Sequence, residues 1–205
     1  MLSKTQSERI QSAVAQAEAG TTSEIAVCIL RSSGDDRGTA AIIGALAFVI
    51  VFIGGPQIRW GVDPLVWTGL GIVAAILVFW LCDRFDLGLR WLPARLLVKD
   101  ARRAARAVFL DHALDDSAER NAVLLFVSRA ERYVEILPDR AAAAAVQQAD
   151  WTAIVDDFRQ QMRTTDMGEA IAGAVTKIGA ACASRFPASG ANPDRVPNRP
   201  IETQN

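Results

Sequence analysis

The chain has 205 residues, with 22 Lys and Arg against 23 Asp and Glu and a formal charge of −1 at pH 7. That length accommodates one domain, or a small domain with an addition. Half of the residues are apolar and 22% are charged, but the charge is unevenly spread. Neither Asp, Glu, Lys nor Arg occurs in residues 38–58, nor again in 64–82. Runs of this kind exclude an ordinary soluble protein as the leading model.

In chain order, residues 3–19 predict a helix. Ser3 or Thr5 can cap it, and Ile10, Val14 and Ala17 recur along one stripe. Residues 24–32 predict a strand through their Ile and Val content. The two charge-free runs follow. A membrane span takes about 20 mostly apolar residues, and both runs have that length. Trp60, Trp67 and Trp80 stand toward their ends, where tryptophan favours the headgroup boundary. The reading is therefore a two-helix transmembrane hairpin, 38–58 and 64–82, joined by a tight turn at 59–63. Arg84, Arg90, Arg95, Lys99, Arg102, Arg103 and Arg106 follow the second run. Counted by Lys and Arg alone, both flanks fall in the cytoplasm, with N- and C-termini on that side of a bacterial inner membrane. Attraction to anionic lipid explains this basic run. With aromatic interleaving sparse, no nucleic-acid partner is expected.

Beyond the hairpin, residues 83–98 predict a basic interfacial segment and 99–113 a helix ending near His112. Residues 122–128 and 133–137 predict an antiparallel strand pair turning at 128–132. Two helices follow. The first covers 141–163 with a break near Asp150, and the second covers 167–185 with Thr165 or Asp166 as cap and Glu169 at capping-box spacing. The tail from 188 to 205, rich in Pro and Asn, predicts an extended or disordered end. A lone helix and strand cannot bury enough surface. Residues 1–37 and 99–187 are therefore expected to assemble into one α/β domain, a small central sheet with helices packed on it, interrupted by the hairpin.

Chemistry-bearing residues are sparse. Cys28, Cys82 and Cys182 match no metal knuckle or CxxC spacing. His112, the only histidine, suits a metal ligand or general base, and equally a helix-terminal surface residue. Asp115, Asp116 and Glu119 offer clustered oxygens of the kind a hard cation needs, and capping with solvation explains them equally well. Asp139 follows the second strand of the pair, where a site carboxylate or a helix cap would sit. Asp156-Asp157 fits a solvated face.

The stretch AVLLFVSRAERYVEILPDR, residues 122–140, resembles a motif of the TPM domain family, which includes the thylakoid lumenal phosphatase-like proteins. Asn121 matches the family's Asn, while Ala122 replaces the usual Gly. Residues 123–127 match its first hairpin strand, Glu131-Arg132 its acidic-Arg turn, and 134–136 its second strand. TSEIAVCIL, residues 22–30, looks like the family's first strand. Trp151, the Phe186-Pro187 step, His112-Ala113-Leu114 and Val196-Pro197-Asn198 resemble one membrane-associated branch. The resemblance covers roughly residues 5–32 and 100–198. It implies an α/β fold with helices on both faces of a sheet, and a link to acid phosphatase activity, divalent-cation binding and maintenance of membrane complexes. Asp139 and Arg132 are catalytic candidates under that resemblance, and His112 is a third as the chain's one imidazole. Asp115, Asp116, Glu131 and Asp139 are the candidate ligands for Ca2+ or Mg2+. Arg132 would supply charge for a phosphoryl group.

Two functions are expected on these grounds. One is a membrane-anchored accessory or interaction module for membrane-protein assembly or quality control, with the lipid bilayer and a membrane protein as partners. The alternative is a divalent-metal-dependent, acid phosphatase-like hydrolase of phosphomonoesters.

Overall fold

The computed structural model describes residues 2–34, 36–55, 63–85, 94–116, 120–188 and 198–203. The chain divides into two compact units, one of residues 1–31 with 101–205 and one of residues 32–100.

The first unit is an α/β body. Its helix α1 (Lys4–Glu18) opens on a capping box at Ser3: the Ser3 hydroxyl accepts the Gln6 N–H, and the Gln6 side chain accepts the Ser3 N–H. Strand β1 (Ile25–Leu30) follows, and the next two strands come after the second unit: β2 (Val123–Ser128) and β3 (Tyr133–Pro138). Helices α5 (Arg140–Ala145), α6 (Gln148–Gln161) and α7 (Met167–Ala183) complete the body, with the short strand β4 (Ile201–Thr203). The sheet runs β3-β2-β1-β4; β1 is parallel to β2 and to β4, and β3 is antiparallel to β2.

Every residue of β1 and β2 is buried, so each sheet face must be covered by helices. Ile25, Val27 and Ile29 alternate onto one face with Val123, Leu125 and Val127, under Ile10 and Val14 of α1, Trp151 and Phe158 of α6, and Ile171, Val175 and Ile178 of α7. Ala26, Cys28 and Leu30 lie on the other face with Leu124 and Phe126, against Ala101 and Ala105. Those two alanines belong to helix α4 (Ala94–Asp111), whose small residues let its backbone approach the strands. The α1–α7 crossing is close: a Cβ on Gly179 would stand 2.6 Å from the Ala17 Cβ.

Asp166 ties α7 to α1. Its Oδ1 caps α7 by accepting the Glu169 N–H at 3.1 Å and also accepts the Gln6 side-chain amide at 3.1 Å, while Arg9 Nη1 reaches Oδ2 at 3.2 Å. The Glu169 N–H first, then the Gln6 amide, with smaller help from Arg9, hold the Asp166 carboxyl below its ordinary range. A carboxyl lowered on folding stabilises the fold above its unfolded pKa, and that contribution is lost as pH falls through the folded value. Asp166→Ala should therefore lower the melting temperature at neutral pH by a few degrees, roughly the scale of a lost helix cap. The gap from the parent should close below about pH 4. Melting curves across pH check both statements, and a gap that persists in acid would contradict them.

The second unit holds helices α2 (Asp36–Gly54) and α3 (Pro64–Phe85), packed antiparallel. Glycines make the contact: a Cβ on Gly44 would meet the Ala75 carbonyl at 3.0 Å, and one on Gly71 the Phe48 ring at 3.0 Å.

Here the structure corrects the expected two-span hairpin. Among the described residues one helix is long and apolar enough to cross a membrane, Pro64–Cys82. The apolar part of α2 covers only Ala40–Gly54. At 1.5 Å per residue that is about 22 Å, short of a hydrocarbon core of about 30 Å. Absence of charge overstated the helix, because Gly54-Gly55-Pro56 punctuates the run: the residue before a proline is disfavoured in helical conformation. Gly55 also packs so close to the Trp67 ring that any side chain there would clash. A transmembrane hairpin interrupting the α/β fold, and a two-span inner-membrane topology with cytoplasmic termini derived from it, are therefore withdrawn. The mixed sheet with packed helices stands.

Smaller differences have local causes. The helix expected over 99–113 begins at Ala94, while the turn 59–62 and residues 86–93 of the expected interfacial segment lie outside the described residues. The break expected near Asp150 falls at Val146-Gln147, between α5 and α6. The end of the tail, expected to be extended or disordered, supplies β4, whereas residues 189–197 lie outside the described residues.

Candidate functional site

The β2–β3 hairpin carries most of the candidate residues, and its register decides which of them can meet. Val123 pairs with Pro138 at one end and Ser128 with Tyr133 at the other. Residues just before β2 and just after β3 are therefore neighbours, while the hairpin turn lies about 17 Å away along the strands.

At the first end Asn121 is 2% exposed, Asp139 6% and Glu24 7%. The Asn121 side-chain amide donates to Thr22 Oγ1 at 3.1 Å. Asp139 caps α5, its Oδ1 accepting the Arg140 N–H at 2.7 Å, and its own N–H donates to the Ala122 carbonyl. Arg120 Nε lies 3.1 Å from Asp139 Oδ2, an ion-pair distance, although Oδ2 accepts no aligned hydrogen bond among the described residues. Arg120 has a φ of 53°. This left-handed turn lets the carbonyl of Arg120 accept the Ala141 N–H. Arg120, Thr22 and Glu24 did not stand out in the sequence. The available signal was the hairpin itself, which makes neighbours of its two outer flanks.

A buried carboxylate whose cationic partner is removed is costly, so this corner is structurally demanding. Asp139→Ala removes the cap of α5 and the partner of Arg120, and should cost about 1–3 kcal/mol. Denaturant titration reads this directly, and a loss below about 0.5 kcal/mol would contradict it.

At the other end, the buried Ser128 hydroxyl donates to Glu131 Oε2 in the turn. Arg132 is exposed with a φ of 52°, closing a four-residue loop by a left-handed residue where glycine is the usual choice. Beside this turn the Tyr133 hydroxyl donates to Glu135 Oε2 at 2.7 Å and accepts from Arg102 Nε at 3.2 Å. Burial first, and then the bond to the Glu135 carboxylate, raise the Tyr133 hydroxyl, which stays protonated.

The remaining candidates come from the end of α4 and the turn that follows it. His112 is exposed just past α4, its N–H bonded to the Val108 carbonyl. Ala113 follows in left-handed conformation, a common helix terminator. Asp115 is partly buried in the 3-10 turn Leu114–Asp116, and the side chains of Asp116 and Glu119 lie outside the described residues. Asp139 and Glu131 stand at opposite ends of the hairpin. Among the described residues no three His, Cys, Asp or Glu side chains converge as a cation site requires. Burial pushes the Cys28 thiol up to about 12 and the Cys182 thiol to about 11. Both are thiols at neutral pH, which removes them as nucleophiles.

Residues 95–181 match the family model of the TPM domain, so a TPM domain is present over that stretch, from α4 to α7. Residues 1–94, with α1 and β1, lie outside the match, although α1 and β1 complete the same α/β body. No curated protein matches the chain. Among solved structures, the chain is similar to the NMR structure of the BA42 protein from the psychrophilic bacterium Bizionia argentinensis. The TM-score is 0.62 at 16% identity, covering 99% of this chain and 96% of that one. At that identity the likeness concerns the fold alone.

Proposed function

We propose that this TPM-domain protein is an accessory module carried on a lipid bilayer by the α2–α3 pair, with its α/β body engaging a membrane-protein partner. One observation carries the reading. The outward surfaces of the two helices are apolar and uncovered: Leu65 is 79% exposed, Ile50 70%, Ile42 64%, Val73 and Ile76 63%. Only 11% of the apolar stretch of α3 is buried, the opposite of a soluble protein's core helix. An exposed apolar surface of this extent needs a cover, and hydrocarbon is the medium that takes it on all sides.

The sheet constrains the manner of attachment. β1 leaves for the second unit and β2 returns from it, yet they are paired along their whole length. A single crossing would put them on opposite sides of a membrane. Both ends of the pair therefore leave the lipid on the same side. Among the described residues the candidates do not assemble a nucleophile, base and charge clamp, which favours an interaction role over hydrolysis.

The full chain mixed with neutral phosphatidylcholine vesicles should float with them in high salt, and external protease should digest the α/β body completely. Recovery of the chain in the unfloated fraction would overturn the attachment. Crosslinking in cells, followed by mild detergent extraction, should recover a specific membrane protein. Failure to recover one would overturn the accessory role.

A further inference from the structure

We infer that the outer face of α4 is a docking surface for anionic phospholipid headgroups, an inference that rests on the bilayer attachment proposed above. Its cations Arg95, Lys99, Arg102, Arg103 and Arg106 fall at i, i+4, i+7, i+8 and i+11, a single arc of the helix, and all are exposed. The acidic residues of the helix, Asp100 and Asp111, lie off that arc. The opposite arc, with Ala101 and Ala105, is buried against the sheet, so the cationic one necessarily points away from it. A merely solvated face would be polar throughout. This one also shows apolar side chains, Val98 at 39% exposed and Leu110 at 60%. Cations flanked by exposed apolar groups are the pattern of a surface that meets phosphate and the top of the acyl layer together. Within the arc Arg102 binds the Tyr133 hydroxyl and stands 3.8 Å from Glu135. That contact ties the helix to β3 and holds the arc in place. Lys99 and Arg106 flank it, one turn to either side, and are the residues to test.

The surface adds electrostatic attraction to an apolar attachment, so it acts as a lipid selector. Each cation near an anionic bilayer contributes about fivefold in partitioning. The experiment compares the full chain on phosphatidylcholine vesicles with the same chain on vesicles containing phosphatidylglycerol. Binding should be stronger by at least about tenfold on the anionic vesicles, and that excess should vanish in high salt. Lys99→Glu with Arg106→Glu should remove most of the excess while leaving binding to neutral vesicles and the melting temperature unchanged. The milder Lys99→Gln with Arg106→Gln should give an intermediate result. Equal binding of the parent chain to both vesicles overturns the inference and leaves the bilayer attachment standing. An anionic preference untouched by either double variant also overturns it. Binding to neither vesicle overturns the attachment, and the inference with it.

Discussion

Phe126→Ala is expected to cost about 3–5 kcal/mol, a large share of the roughly 5–15 kcal/mol that keeps a domain folded. Phe126 is fully buried on β2, a strand hydrogen-bonded on both sides, and β1 is flanked likewise. Its cluster joins small residues, Ala101 and Ala105 on α4, Ala26 and Cys28 on β1 and Ala122 beside the start of β2, to the buried leucines Leu30, Leu114 and Leu124. Alanines fixed on strand and helix backbones cannot reach into the space of a lost ring, and the leucines fill it only in part, so a cavity remains and its cost adds to the lost transfer energy. Phe126→Leu, which keeps most of the volume, should cost clearly less. Denaturant midpoints of the full chain in mild detergent measure both. A loss below about 1 kcal/mol for the alanine variant would mean that α4 does not seal this face.

Ile76→Arg on the exposed face of α3 is expected to weaken partitioning into neutral vesicles by roughly 100-fold, since a cation at apolar depth costs about 2.5–3.5 kcal/mol. Melting of the α/β body should be unaffected, because Ile76 belongs to the other compact unit. A conservative Ile76→Val should partition like the parent. If the arginine variant floats as well as the parent, this surface is covered by something other than hydrocarbon, such as a second copy of the chain.

Much of the body was legible residue by residue. β1 and β2 are short runs of Ile, Val and Leu, the composition of strands buried on both faces, and Glu135 between Val134 and Ile136 signals the half-buried strand β3. Ser3 and Asp166 were readable as caps because the side chain that satisfies an orphan N–H sits within three residues of it. Charge absence marked α3 correctly and overran α2, because a count of charged residues ignores the two glycines and the proline that end the helix. β4 carried no signal: three residues in a polar, proline-rich tail become a strand only because β1 offers an open edge.

The candidate site divides along the same line. Local chemistry in the sequence determined which side chains can carry charge or cap a helix, since those properties depend on a residue and its near neighbours. It determined too that residues 64–82 form an apolar stretch with the length of a membrane helix. Tertiary structure alone decided that Asp139 stands with Arg120 and Asn121 while Glu131 stands a strand's length away with Ser128. It alone decided that the cations of α4 face outward. Register and strand order depend on partners distant in the chain, and a pairing shifted by one residue exchanges the two faces of a strand.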